Sequence, residues 1–508
     1  MHDVLVIGAG TAGCVLAARL SEDPATRVLL VEAGPEARKF EVRIPAAFSK
    51  LFDSKVDWGY RTTPQAALDG RELVYPRGRL IGGSASINAM MALRGHRLDQ
   101  DAWPTGWRWD DVAPAYARSA LQFVAAQPRS PSPLTQAFCE TAATVLGVER
   151  STDLNEPDND GVGFTPLSVR NGARFSVADG YLEPARTRPN LDIATGVVVR
   201  HLLVEAGRVV GAAVSQGREE RELRAHTVAL AAGAVGSPAI LLRSGIGPAE
   251  ELARHGIATV ADRAGVGANL RDHLASGILV ATRPGVVTLA SAETFANLLR
   301  WLVAKKGPLT SNVAEAAAFV RSDAALPAPD LELIFAPVPF ENEGLTKPSF
   351  DGFTVATVLL QPKSFGSVTL RSADPGDPPL IDPAFLTDPA GDDHRLVLHG
   401  IRLARKVVAG EPLAAYVGEE RLPGATCATD EELAAHIRAQ SQTLYHPVGT
   451  CRLGDDPDSV VDPELRLRGL EGLRIVDASV IPALPRGHTN WPTVMVAERA
   501  AELMRAGR

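Results

Sequence analysis

The sequence predicts an α/β fold that opens on a parallel, doubly wound sheet and adds further sheet in its later half. Three observations carry this. An apolar strand, Asp3 to Ile7, runs directly into Gly8-Ala9-Gly10-Thr11-Ala12-Gly13. A second apolar run, Val28 to Val31, ends in the acid Glu32. Two later blocks, 191–232 and 330–370, have strand composition with approximate alternation.

The first two observations make a complete βαβ unit of the Rossmann type. The first glycine allows a tight turn, the second lets backbone approach a pyrophosphate, and the third lets the helix pack close to the strand. That helix is expected from Thr11 to Glu22, with Leu16, Ala17 and Leu20 facing the core. Glu32 stands where a carboxylate can accept hydrogen bonds from a ribose. Residues 35–80 read as irregular. The Pro/Ser-rich run 125–133 reads as a surface linker, and so does 155–161, which precedes a change of domain.

The block 191–232 divides into strands at 191–194, 197–203, 209–215 and 227–231. The last of these runs into Ala232-Gly233-Ala234-Val235-Gly236, small residues suited to the close approach of a ligand. No second GxGxxG with a spaced acid follows. In 330–370, Leu331, Leu333, Phe335 and the run 355–360 read as strand. The segment 371–393 is a Pro/Asp-rich excursion, and 394–408 is helical. Thr429-Asp430-Glu431-Glu432 is a capping box that opens a helix to about Gln442. This helix must end before Tyr445-His446-Pro447, because Pro447 disfavours helical geometry in the residue before it. Leu473 to Val476 is a strand ending in Asp477, and the last helix is expected from near Pro492, a good first-turn residue, to about Arg505.

With 508 residues, two or three domains are expected. A formal net charge of −8 argues against a nucleic-acid or anionic-membrane partner, and no apolar run is long enough to span a bilayer. The first strand begins at residue 3, which leaves no room for a signal peptide. Cys14, Cys139, Cys427 and Cys451 are widely spaced and form no CxxC pair, so neither a metal nor a disulfide is expected, and a cytoplasmic location fits.

Several residues are candidates for chemistry. In Gly487-His488-Thr489-Asn490-Trp491-Pro492-Thr493, Asn490 can cap the last helix or aim its amide at a ligand, while the helix N-terminus attracts anions. His446 lies on a helix-exit loop, where histidines are usually solvated. Arg77 to Ser86 suits phosphate contacts or merely a tight turn. His273, after Asp272, reads as structural. Glu315, in an alanine-rich stretch, reads as a solvated face or a cation anchor. Phe335 and Phe340 read as core.

Taken together, these segments resemble the glucose–methanol–choline family of FAD-dependent oxidoreductases along essentially the whole chain. The resemblance rests on the N-terminal glycine motif with Glu32-Ala33-Gly34, on 76–88, on 233–247, on Val266 to His273, on Tyr445 to Thr450 and on Thr489 to Thr493. It implies a Rossmann-like FAD-binding domain in three pieces (1–150, 190–280 and 436–508). It also implies an α+β substrate domain on an antiparallel sheet (151–189 and 281–435).

By resemblance, His446 and Asn490 form the catalytic pair. Gly8, Gly10, Thr11, Ala12 and Gly13 hold the pyrophosphate, and Glu32 with Ala33 meets the adenosine ribose. Gly83, Ser84, Asn88, Ala89 and Met90 line the isoalloxazine side, and Val198 touches adenine. Ala232, Tyr445, Asp477, Ala478, Pro492 and Thr493 complete the cofactor contacts. Ile87 lies where some relatives carry a flavin-linked histidine, which implies noncovalent FAD. His488, Trp491 and Phe365 depart from frequent family residues, and His488 leaves open which side chain partners His446.

The implied reaction is oxidation of a primary alcohol, aromatic or medium aliphatic, to an aldehyde. His446 takes the hydroxyl proton, Asn490 holds the oxygen, and hydride passes to flavin N5, with oxygen or another acceptor removing the electrons. The apolar runs 331–340 and 355–360, with Trp491, suggest the pocket wall. Choline follows if Glu315 faces the site. The rival classes are a hydroxynitrile lyase without net redox and a protein that keeps FAD as a structural element.

Overall fold

A computed structural model describes residues 2–507, in which two seven-stranded sheets dominate. The first runs, edge to edge, through Leu191–Thr195, Val28–Glu32, His2–Ile7, Glu219–Leu230, Arg208–Gln216 and Val197–Glu205. Leu473–Ile475 pairs with Glu219–Leu230 in parallel. Its four-strand centre is parallel, and Val4 to Ile7 are at most 2% exposed, as a strand covered on both faces requires.

Glu219–Leu230 is longer than the expected 227–231. Its C-terminal half, from Ala225, pairs with His2–Ile7, while its charged N-terminal half pairs antiparallel with Arg208–Gln216. That first half, Glu219-Glu220-Arg221-Glu222, is solvent-exposed and carries no burial pattern by which it could be read.

The second sheet is wholly antiparallel. Its order is Val417–Leu422, Leu274–Thr282, Gly352–Leu359, Leu331–Ala336, Ala316–Val320 and Gly161–Phe164, with Gln442–Thr443 on Leu274–Thr282. Strands 331–336 and 352–359 fall within the expected block, and the other five were not anticipated. Along Leu331–Ala336 the faces alternate. Leu333 and Phe335 enter a core with Phe138, Phe353 and Val355, while Ile334 and Ala336 face a large cavity. The helices Pro133–Leu146 and Asp392–Val408 cover the core face.

The first helix spans Thr11–Leu20 and packs on the last, Asn490–Ala506. The last helix therefore begins two residues before Pro492, and its N-cap is Thr489 rather than Asn490. Pro492 is its third residue and is buried, so it contributes no N–H to the helix mouth.

Candidate active site

A cavity of about 780 Å³ lies between the two sheets, lined from the first by Ile7, Gly8, 10–12, 31–33, 197–199 and 231–236, and from the second by Ile334, Ala336, Thr354 and Ala356. The glycine turn forms one wall. A Cβ at Gly13 would lie 1.8 Å from the Gly8 carbonyl oxygen, so the third glycine is demanded by contact between helix and turn. A Cβ at Gly10 would meet nothing within 4 Å, which is open space where a pyrophosphate can approach backbone. Gly83 closes on the turn from the other side, its Cβ position 2.7 Å from the Cα of Gly10.

Glu32 is buried, and its carboxylate accepts the N–H of Ala9 (2.9 Å) and of Gly34 (2.8 Å). Burial raises its pKa from the ordinary carboxylate value, against those two hydrogen bonds. Asp477 accepts from Gly233 N, Ser237 Oγ and Ser479 N at 2.9, 2.6 and 2.8 Å. It thereby ties together the C-terminal ends of two neighbouring parallel strands, where such sheets bind ligands. Arg174, 1% exposed, donates to Asn88 Oδ1 (2.8 Å) and to the carbonyls of Val42 and Ala85, fixing the loop that carries Asn88, Ala89 and Met90. Open space over Gly10, a buried ribose-type acid and a long cavity fit a dinucleotide cofactor.

Of the cofactor residues expected from sequence, Gly8, Gly10, Thr11, Ala12, Glu32, Ala33, Gly83, Ser84, Asn88, Ala89, Met90, Val198, Ala232, Tyr445, Asp477, Ala478 and Thr493 line the cavity. Gly13 and Pro492 lie behind it. The donors of the helix mouth are the N–H groups of Asn490 and Trp491, not a turn that starts at Pro492.

His446, His488 and Asn490 converge on the same cavity. The loop that carries His446 is held from below: its N–H donates to Asp272 Oδ1 at 2.7 Å, and Thr443 Oγ1 donates to Asp272 Oδ2 at 2.6 Å. Arg271 and Val448 exchange backbone hydrogen bonds, and Arg77 donates to the Tyr445 carbonyl at 2.6 Å. The segment 266–273 and the loop 445–450 thus form one unit.

His273 is not merely structural. Its Nε2 lies 3.1 Å from the Leu360 carbonyl and its Nδ1 lies 2.9 Å from Nδ1 of His446. A carbonyl can only accept, so Nε2 of His273 carries the hydrogen. Burial lowers its pKa to about 3, so the ring is neutral and its Nδ1 is bare. His446 must then donate from Nδ1, which leaves Nε2 as its basic atom. The pKa of His446 is itself held well below the ordinary value, by burial first and then by His488, His273 and Arg77. It is therefore neutral throughout the neutral pH range.

Asn490 accepts from Thr11 Oγ1 at 2.7 Å, so its amide N–H groups are the ones left to donate. The ring of His488 stands edge-on to His446 with centroids 4.6 Å apart, and its Nε2 lies 3.2 Å from Oε1 of the fully buried Glu332. Glu332 shares the parity of Ile334 and Ala336 on its strand. Alternation could have shown this, had the strand not been read from Leu331, Leu333 and Phe335.

The pocket expectations for Trp491, Phe340 and Glu315 are corrected, and Phe365 is located. Trp491 does not line the cavity. It packs against Tyr116 and Phe123 and donates to Ser119 Oγ at 2.8 Å. Phe340 does line it, stacked on Phe48, so it is not simply core. Glu315 is neither solvated nor a cation anchor. Buried at 1% exposure, it accepts from Ser132 N, Thr135 Oγ1 and Ser311 Oγ, stapling the start of helix Pro133–Leu146 to the second sheet. Phe365 is 57% exposed beside Arg271 and is no part of the pocket.

Comparison with known proteins agrees with this geometry. Two family models described as GMC oxidoreductase match residues 2–275 and 362–497. The chain is 42% identical to an uncharacterized GMC-type oxidoreductase of Mycobacterium tuberculosis, over 99% of each protein. It is 38% identical to an alcohol dehydrogenase [acceptor] of Pseudomonas putida, over 99% of this chain and 96% of that protein. Among solved structures, pyridoxine 4-oxidase of Mesorbium loti superposes with a TM-score of 0.90 at 34% identity, over 100% of this chain and 99% of that one. The chain belongs to the GMC oxidoreductases, FAD-dependent flavoenzymes that act on CH–OH groups.

Proposed function

We propose that the protein oxidises an apolar primary alcohol, aromatic or medium aliphatic, to its aldehyde, with His446 as the base and Asn490 as the anchor of the substrate oxygen. The observation that carries this reading is the contact of His446 Nδ1 with His273 Nδ1 at 2.9 Å, with His273 Nε2 on the Leu360 carbonyl; it supports a His446 tautomer whose Nε2 takes a proton in the cavity that Asn490 also lines. An alcohol C–H is a poor hydride donor until its O–H proton begins to leave. Neutral Nε2 accepts that proton, and the Asn490 amide donates to the oxygen as negative charge develops on it. Noncovalently bound FAD, held by the glycine turn, Glu32 and the Gly83–Met90 loop, supplies the hydride acceptor. The Tyr445-to-His446 loop keeps the imidazole in place through Asp272 and Arg77.

The alcohol class follows from the far wall, where Phe48, Phe52, Val313, Ile334, Ala336 and Phe340 present apolar surface. Glu315 offers no anchor there for a quaternary ammonium, which disfavours choline.

Anaerobic stopped-flow mixing with an alcohol panel, followed by admission of oxygen, tests the reading. Bleaching of the flavin by benzylic or medium-chain alcohols is expected, faster than by choline. A flavin that stays yellow with every alcohol while cyanohydrins are cleaved overturns it in favour of a lyase. Peroxide on reoxidation marks an oxidase, and its absence a dehydrogenase with another acceptor.

A further inference from the structure

The helix Phe295–Ala304, bounded by Thr294 as N-cap, presents an apolar face to solvent. Phe295 is 81% exposed, Leu299 50%, Leu302 45% and Val303 80%. These positions are i, i+4, i+7 and i+8, one continuous stripe of about 100° on a helical wheel. An amphipathic helix on a globular surface normally turns that stripe inward. Here only Trp301 is buried, with Leu298 half-buried, against Ile44, Ala47 and Leu309. Phe40, 48% exposed and edge-on to Trp301 at 5.7 Å, extends the outward apolar surface.

The charge around this face is one-sided. Arg38, Lys39, Arg300, Lys305 and Lys306 flank it, and none forms an ion pair with a carboxylate within 4.0 Å among the described residues. Of the nearby acids, Glu293 is taken by Lys50 at 2.6 Å, and Glu41 stands on the adjoining short helix. From Thr294 to Ala314 there is no acidic residue at all.

We propose that this face docks on an anionic lipid bilayer, the helix lying in the headgroup plane with Phe295, Leu299, Leu302 and Val303 inserted and Arg38, Lys39, Arg300 and Lys306 over the phosphates, Lys305 being held on the Trp301 ring at 3.4 Å. An exposed apolar stripe bordered by unpaired cations is the composition of an interfacial helix. A second copy of the chain fits less well, because a twofold contact through this face would bring the two sets of cations together. The chain's net charge of −8 is not decisive, since charges beyond a Debye length of about 8 Å from the membrane are screened. No described helix is long and apolar enough to cross a membrane, so the contact is peripheral. The segment on which Trp301 packs, Ile44 to Ala47, continues into Phe48 and Phe52 of the cavity wall. Docking would therefore bring the apolar side of the cavity near the acyl region, where apolar alcohols partition.

Flotation of the holoenzyme with vesicles tests this without reference to turnover. The wild type should float with mixed phosphatidylglycerol and phosphatidylcholine vesicles and far less with phosphatidylcholine alone. Phe295→Glu with Val303→Glu should cut the partition coefficient at least roughly tenfold, and so should Arg300→Gln with Lys306→Gln on the anionic vesicles. The flavin spectrum and alcohol turnover with a soluble acceptor should be unchanged in both. Absence of wild-type flotation on anionic vesicles overturns the proposal, as does flotation insensitive to the Glu pair. A light-scattering mass that falls from dimer to monomer in the Glu pair also overturns it, by assigning the face to a second copy.

Discussion

His273 decides more about the site than its place in the chain suggests. In sequence it is one histidine after an aspartate, and nothing in spacing shows that residues 173 positions apart will share a hydrogen bond. Replacing it with Ala removes the acceptor that His446 Nδ1 meets among the described residues, and kcat/KM is expected to fall roughly 10–100-fold. His273→Asn, whose carbonyl oxygen can accept from Nδ1, should recover much of that loss. His446→Ala should cost more, roughly 10²–10⁴-fold, as loss of the base itself. A merely structural role for His273 would lower the amount of folded enzyme but leave the pH profile alone. The acid limb of wild-type kcat/KM should lie below the ordinary histidine value of about 6.5, because burial first, and then its neighbours His488, His273 and Arg77, depress His446. In His273→Ala, ¹⁵N shifts of the His446 ring should report a changed tautomer mixture. An unchanged limb and unchanged shifts would remove His273 from the mechanism. The identities of His446 and Asn490 were legible through motif register, but the protonation state that makes one of them useful required the fold.

Elements repeat the same division between local and long-range information. The βαβ unit was readable because its signals lie within 34 residues and each has a local steric cause. The start of the last helix was misplaced because Pro492 reads as a first-turn residue, whereas the helix already begins at Asn490, tied to the first helix by Thr11. The turn Glu341–Gly344 at the cavity mouth was not legible at all. Asn342 and Glu343 adopt left-handed backbone there, with φ of 45° and 59°, and Glu343 accepts from the Tyr445 hydroxyl at 3.0 Å. Burial pushes the Glu343 pKa up to about 7. A folded-state value above the unfolded one means that the native state holds the extra proton between about pH 4.3 and 7. Stability from this group is therefore full at acid pH, is lost as pH rises through that window, and is constant above it. Glu343→Gln should match the wild type near pH 4 and exceed it at pH 8, by up to about 3.5 kcal/mol, in chemical denaturation. Equal pH slopes for the two proteins would show that the carboxylate is not buried as described.

On the scale of the molecule, two sheets assembled from interleaved segments close on one cavity. The strands support a division somewhat different from the expected one. Leu274–Thr282 and Gln442–Thr443 belong to the second sheet, and helix Pro133–Leu146 packs on its core. We propose accordingly that the substrate unit takes in 133–164, about 274–443 and little else, with the FAD unit formed by the remainder. Composition marks only the crossing at 133, which follows the Pro/Ser-rich run 125–133; the crossings near 274 and 443 fall at the ends of strands with no polar linker beside them. Since the cavity draws its lining from both units, a ligand filling it links them. Binding to the native state alone stabilises by about 2.7 kcal/mol at a ligand concentration of 100 Kd, which corresponds to a rise of about 2–3 °C in Tm for a chain of this length. Removal of FAD should therefore lower Tm and split one calorimetric transition into two, and re-addition should restore both features. The split follows from the interleaving: without the cofactor, the antiparallel sheet keeps its own core of Phe138, Phe335 and Phe353 and has no reason to melt with the parallel one. A single transition in the FAD-free protein would mean that direct contacts between the units, rather than the cofactor, hold them as one cooperative body.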